Sequence, residues 1–197
     1  MSDKQKVDKT RRTLVVATSM LGGAASVGAA VPFVGSMLPS ERAKAAGAPV
    51  EVDILAIAPG ELRVFEWRGK PVWVIRRTAQ MLESIVKSDP QLTDPGSAVP
   101  QQPDYATNQY RSRKPDVMVV EGVCTHLGCS PQLKPADAKA EMGADWLGGF
   151  YCACHGSKFD FAGRVYKGSP APTNLVVPPY AFLSDTTILI GDDKKGA

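Results

Sequence analysis

Every cysteine and every histidine of this 197-residue chain lies in one of two short runs. The first is Cys124-Thr125-His126-Leu127-Gly128-Cys129 and the second is Cys152-Ala153-Cys154-His155-Gly156-Ser157. Soft side chains used only for packing would be scattered, and these are not. Each run offers a Cys and a His two or three positions apart, Cys124 with His126 and Cys152 with His155, plus one further Cys. Thiolate and imidazole are the ligands of zinc and iron sites. Four such ligands and a spare pair of thiols read as one metal centre clamped by one disulfide. Zinc held by two Cys and two His meets the ligand count. It gives no role to the other two cysteines, or to the Gly and Ser residues placed around the ligands.

C-T-H-L-G-C followed by C-x-C-H-G-S resembles the two cluster-binding boxes of Rieske iron–sulfur proteins, and of the bacterial cytochrome bc1 complex in particular. In such [2Fe–2S] centres two His replace two Cys on one of the irons. The resemblance implies that Cys124 and Cys152 hold one iron, that His126 and His155 hold the other, and that Cys129 and Cys154 form a disulfide. That bridge would close a loop of about 26 residues, worth roughly 3.5 kcal/mol in chain entropy. It would suit the periplasm better than the cytosol. Neutral imidazoles reduce the negative charge of the centre. Rieske potentials accordingly span about −150 to +300 mV, against about −400 mV for plant-type ferredoxins.

The same resemblance assigns further roles. Ser157 would donate a hydrogen bond to a cluster sulfide. Gly168-Ser169-Pro170-Ala171-Pro172 resembles the family's proline loop, a cover over the cluster that the fixed φ of Pro170 and Pro172 would stiffen. Gly128 and Gly156 would let the backbone come close to the sulfurs. Leu127 would dock the tip into a quinol pocket, and His155 would take the quinol proton through its free ring nitrogen. Two positions depart from the family pattern. Ala153 stands where Pro is usual, and Phe159 stands where high-potential members have Tyr.

The elements that must carry these boxes begin with an anchor. Residues 1–12 hold five basic and two acidic side chains, which accounts for the whole formal charge of +3. The positive charge therefore belongs to the tail, and nothing points to nucleic acid. No residue from Thr13 to Leu38 is charged, which is long enough for a single transmembrane helix despite Gly22, Gly23, Gly28 and Pro32. Basic residues before the span predict a cytoplasmic N-terminus, a periplasmic head and residence in the bacterial inner membrane. Thr10-Arg11-Arg12-Thr13-Leu14-Val15 also looks like a twin-arginine export signal, with a retained anchor preferred to a cleaved signal peptide. Residues 39–49, rich in Ala with Glu41, Arg42 and Lys44, read as a tether between anchor and head, which the resemblance implies is a flexible hinge and the composition fits equally as a passive linker.

The head, 50–197, is expected to be all-β, a Rieske-type antiparallel β-sandwich with a cluster-binding loop subdomain. Alternation predicts strands at Glu51–Ile54 and Leu62–Trp67, a turn at Arg68-Gly69-Lys70 and a strand at Pro71–Ile75. A helix is expected over Ala79–Lys87 after the cap Thr78. Residues 88–115, rich in Pro, Gln and Asp, read as an insertion with no chemical signature. Val117–Val120 leads into the first box as a strand, Pro131–Gly143 is a polar loop, and Ala144–Tyr151 approaches the second box as a strand. A turn at Ala162-Gly163 and short strands at Arg164–Tyr166, Leu175–Val177, Ala181–Leu183 and Thr187–Ile190 complete the pattern.

The resemblance thus implies a redox subunit of quinol–cytochrome c reductase with one [2Fe–2S] cluster. It would take an electron from quinol, ubiquinol by preference, at cytochrome b and pass it to cytochrome c1, in a membrane-embedded dimeric complex. The competing classes are the Rieske subunit of a periplasmic molybdenum enzyme such as arsenite oxidase, an oxygenase ferredoxin, and a structural zinc domain. Leu127 and the long anchor favour the quinol enzyme. Ferredoxins lack the extra Cys pair and the anchor.

Overall fold

The structure, a computed structural model, describes residues 8–192 and 194. The chain divides into two units, 1–45 and 46–197. The reading of residues 1–7 as a cytoplasmic tail lies outside the described residues. The first unit is dominated by α1, Lys9–Ser36, capped by the Asp8 carboxylate, which accepts from the Thr10 and Arg11 amides at 3.0 and 3.3 Å. At about 1.5 Å per residue its 28 residues outreach a hydrocarbon core of about 30 Å. None of its residues is buried by protein, although Leu14, Met20, Leu21, Val31 and Phe33 are apolar. The hydroxyls of Thr18 and Ser26 donate back to the carbonyls of Leu14 and Gly22, so they present no unpaired donor to lipid. The helix is long and apolar enough to cross a membrane. Within 39–49, Glu41–Ala46 form a short helix, α2, with a Glu41–Lys44 ion pair.

The second unit contains β1 (Val50–Asp53), β2 (Leu62–Trp67), β3 (Lys70–Arg76), α3 (Ala79–Ser88), β4 (Val117–Glu121), β5 (Gln132–Lys134), α4 (Lys139–Met142), β6 (Gly149–Cys152), β7 (Ser157–Phe159), β8 (Tyr180–Phe182) and β9 (Thr187–Ile190). These strands form three antiparallel three-stranded sheets, ordered β1-β9-β8, β2-β3-β4 and β5-β6-β7. The β2–β3 hairpin turns at Arg68 and Gly69, both at positive φ, as a two-residue turn matched to strand twist requires. One apolar core joins the sheets, with Val52 and Ile188 from the first, Trp73, Ile75 and Val119 from the second, and Phe150 and Phe159 from the third. Cys124 and Cys152 lie at the margin of that core.

Four local expectations need correction. The approach to the second box is a strand only over Gly149–Cys152. Gly143 and Gly148 upstream of it, and Gly149 at its first position, all take positive φ, and Gly149 lies against the carbonyl of Phe159 where a Cβ would not fit. The polar loop 131–143 instead contains β5 and α4. Leu175–Val177 is extended but joins no sheet, because each residue pairs with a different segment. Leu175 N–H donates to Gly163, Val177 N–H donates to Gln101, and the Val176 carbonyl accepts from Glu121. Arg164–Tyr166 is likewise no regular strand, since Val165 and Tyr166 make only single bridges, to Phe159 and Leu92. The insertion forms 3₁₀ turns at Asp89–Gln91 and Asp104–Ala106.

Candidate metal centre

The first box leaves the end of β4 through Gly122, over which the Trp73 indole lies so closely that a Cβ would collide with it. The second box is the connection from β6 into β7. Both boxes fold the same way although their ligands are spaced differently. In the first, the Gly128 amide donates to the Cys124 carbonyl at 3.0 Å. In the second, the Gly156 amide donates to the Cys152 carbonyl at 2.9 Å. Each glycine closes its turn at positive φ, 85° and 82°, where L side chains are strained. The Cys124 amide also donates to the Cys129 carbonyl at 2.7 Å, closing the first box on itself.

This geometry brings Cys124 and Cys152, both 2% exposed, into the same buried cluster with their thiols facing. Burial, with the facing Cys124 sulfur adding to it, pushes the Cys152 thiol up, while the amides of Cys154 and His155 work against that. The His126 and His155 rings meet edge to face, with centroids 4.7 Å apart. His126 is partly covered and His155 is exposed. Cys129 and Cys154 are joined by a disulfide across the two boxes. The Cys152 sulfur and the two disulfide sulfurs lie within 4.8 Å of one another, but the bridge engages two of these three and leaves Cys152 as the available ligand.

A third segment closes over both boxes. The Ala171 amide donates to Ser157 Oγ at 3.0 Å, and the Lys158 amide donates to Ser169 Oγ at 3.1 Å. The Thr125 hydroxyl, between the first two ligands, donates to the Thr173 carbonyl at 2.7 Å. Residues Gly168 to Pro172 are thus fixed to the second box and, just beyond Pro172, to the first. Gly168 is at φ 75°, while Pro170 and Pro172 stay exposed. Strand alternation puts Ser157 and Phe159 on one buried face of β7, with Lys158 on the other. Leu127 projects from the tip, 71% exposed.

Residues 98–181 match the Rieske [2Fe-2S] domain, and residues 1–40 match the ubiquitinol-cytochrome C reductase Fe-S subunit TAT signal. The chain is 56% identical to the ubiquinol-cytochrome c reductase iron-sulfur subunit of Allochromatium vinosum over 98% of its length and 94% of that protein's. It is 42% identical to the subunit of the same name from Blastochloris viridis, over 97% and 98%. The chain belongs to the ubiquinol–cytochrome c reductase iron–sulfur subunits. A solved chain described as hyperthermophilic respiratory Complex III is 30% identical to this Rieske subunit, with a TM-score of 0.48, covering 88% of this chain and 98% of that one.

The cofactor of this Rieske subunit is a [2Fe–2S] cluster, and the residues present fit one. His126 Nδ1 is buried and makes no hydrogen bond among the described residues. A buried, unpaired ring nitrogen is costly unless it ligates. Burial likewise makes the Cys152 thiol costly to ionise without a cation, and a bound metal would displace its proton.

A buried polar network in the head left no signal in the sequence. Arg164 and Asp160 are fully buried and 2.7 Å apart, and Arg164 also reaches Asp89 and the carbonyls of Ile85 and Pro95. Arg111, fully buried, donates to Gln102 and to the carbonyls of Ala162, Gly163 and Leu175. Arg77 donates to Ser112 and to the Tyr110 carbonyl. Burial lowers both Arg77 and Arg111 to about 10. These guanidiniums tie the insertion to the turn after β7. Arginines that bind scattered carbonyls follow no spacing a sequence would show.

Proposed function

We infer that this chain is the mobile redox carrier of a quinol–cytochrome c reductase, with Cys124 and Cys152 as ligands of one iron and His126 and His155 as ligands of the other. The observation that carries this reading is the juxtaposition at one exposed tip. Two matched Cys–Gly turns, joined by a disulfide, present buried thiols inward and His155 and Leu127 outward. The bound cluster supplies one-electron redox chemistry at a potential raised by its imidazole ligands.

The chain's own residues supply the rest. Leu127 gives an apolar contact to a quinol pocket in cytochrome b. His155 receives the quinol hydroxyl proton on its exposed ring nitrogen. The disulfide and the Gly168–Pro172 segment hold the two ligand loops in register and keep water from the thiolate side. Ser157 accepts from the Ala171 amide, which leaves its own proton free to face the cluster. Cytochrome c1 is the downstream acceptor. α1 anchors the subunit in the inner membrane with its N-terminus cytoplasmic and the head periplasmic, within a dimeric complex, and residues 39–49 act as its hinge. Ubiquinol is the substrate that fits the relatives' name.

Purification of the complex from membranes through a tag on this subunit tests the reading. The expected preparation contains b- and c-type haem and oxidises quinol with cytochrome c as acceptor. A preparation containing a molybdenum subunit and no b-type haem would overturn it.

A further inference from the structure

The insertion 88–115 carried no chemical signature in the sequence, yet one of its contacts reaches the cover of the metal centre. Asn174 directly follows the Gly168–Thr173 segment and is 1% exposed. Its Oδ1 accepts from the Val165 amide at 2.9 Å. Its Nδ2 donates to the Asp94 carbonyl at 3.0 Å and to Ser97 Oγ at 3.3 Å. One side chain therefore joins the cover, the chain leaving the second box, and the insertion. The insertion end of this link is itself fixed. The Asp94 carboxylate accepts from the Ala98 and Val99 amides at 2.8 and 3.0 Å, and the Thr93 amide donates to the Val165 carbonyl at 3.0 Å. Ser97, 2% exposed, is held at φ 53° so that its hydroxyl meets the amide.

We propose that Asn174 is a positioning residue that fixes the proline loop on the cluster-binding boxes from the insertion side. The residue before it presents the carbonyl that holds the Thr125 hydroxyl, and Thr125 sits between Cys124 and His126. Three residues before it, Ala171 presents the amide that orients Ser157. The insertion is thus the foundation of the cover. Asn174 acts on the ligand loops through Thr173 and Ala171, without touching a ligand. The proposal rests on the ligand set inferred above, but its first readout does not depend on a cluster.

The test is amide hydrogen exchange of the full chain, wild type against Asn174→Ala, with Leu189→Ala in β9 as a destabilised control away from the link. Exchange over 168–173 is expected to rise about tenfold in Asn174→Ala while β2–β4 keep their protection, as loss of buried hydrogen bonds to one local segment predicts. With cluster content normal, the same variant is expected to show a lower midpoint potential and an altered electron paramagnetic resonance line shape, because Ser157 is no longer held. Unchanged exchange over 168–173, or an equal rise in Leu189→Ala, would overturn the proposal. If Asn174→Ala does not fold, Ser97→Gly decides. Glycine accepts the positive φ and removes the CH2OH group that meets the Asn174 amide, so a smaller rise confined to 168–173 supports the link and no rise overturns it. A wild-type protein without a Rieske signal would instead count against the ligand set and leave the exchange result standing.

Discussion

Phe159 is fully buried on the same face of β7 as Ser157, in the cluster of side chains that contains Cys124 and Cys152. It fills that space without a donor, and a Tyr would add a hydroxyl among the same side chains. Phe159→Tyr is expected to raise the midpoint potential in a redox titration, and an unchanged potential would mean that this position does not reach the ligands. Leu127 makes a separable prediction. With 71% of its surface exposed it contributes little to the fold. Leu127→Ala should leave the cluster spectrum and thermal stability as they are while lowering quinol oxidation at least several-fold by weakening a hydrophobic contact. The ligand-type residues were legible in the sequence because Cys and His are few and grouped. Asn174 and Arg111 were not, because their partners are main-chain groups of irregular segments brought near only by the finished fold.

At the scale of elements, the ion pair of Asp160 and Arg164 locks the turn after β7. Asp160 also accepts from the Ala162 and Arg164 amides at 2.9 and 2.8 Å, so one carboxylate holds both the turn and the guanidinium that reaches α3 and the insertion. Asp160→Asn leaves Arg164 buried with only Asp89, which is partly exposed, as a carboxylate partner. It is expected to cost about 3 kcal/mol, the usual scale for removing one member of a buried pair. Urea denaturation with wild type in parallel measures it. The hairpin of β2 and β3, the helix α3 and the strand β4 could all be read from alternation, helical spacing and turn residues. β5 and α4 could not, since segments of three and four residues owe their form to β6 and to the Trp146 indole, which donates to the Pro135 carbonyl at 3.0 Å. Leu175–Val177 misled for the opposite reason. Its apolar pattern is that of a strand, but its hydrogen bonds go to three different segments.

For the whole molecule, the two units divide the work. An apolar helix with no buried residue suits lipid, and a β head joins three small sheets around one core and places the ligand boxes at its margin. The disulfide between the boxes supports that margin. Cys129→Ser should lower cluster retention and reduce stability by about 3 kcal/mol or less. Iron content and thermal unfolding on one preparation check both, and full occupancy would contradict the first. The central claim is that Cys124, Cys152, His126 and His155 hold one [2Fe–2S] cluster. Electron paramagnetic resonance of the dithionite-reduced protein, with iron and zinc analysis of the same sample, tests it most directly. The account predicts two irons per chain and a rhombic spectrum whose average g lies below that of all-Cys clusters. A silent sample with stoichiometric zinc and no iron would contradict it.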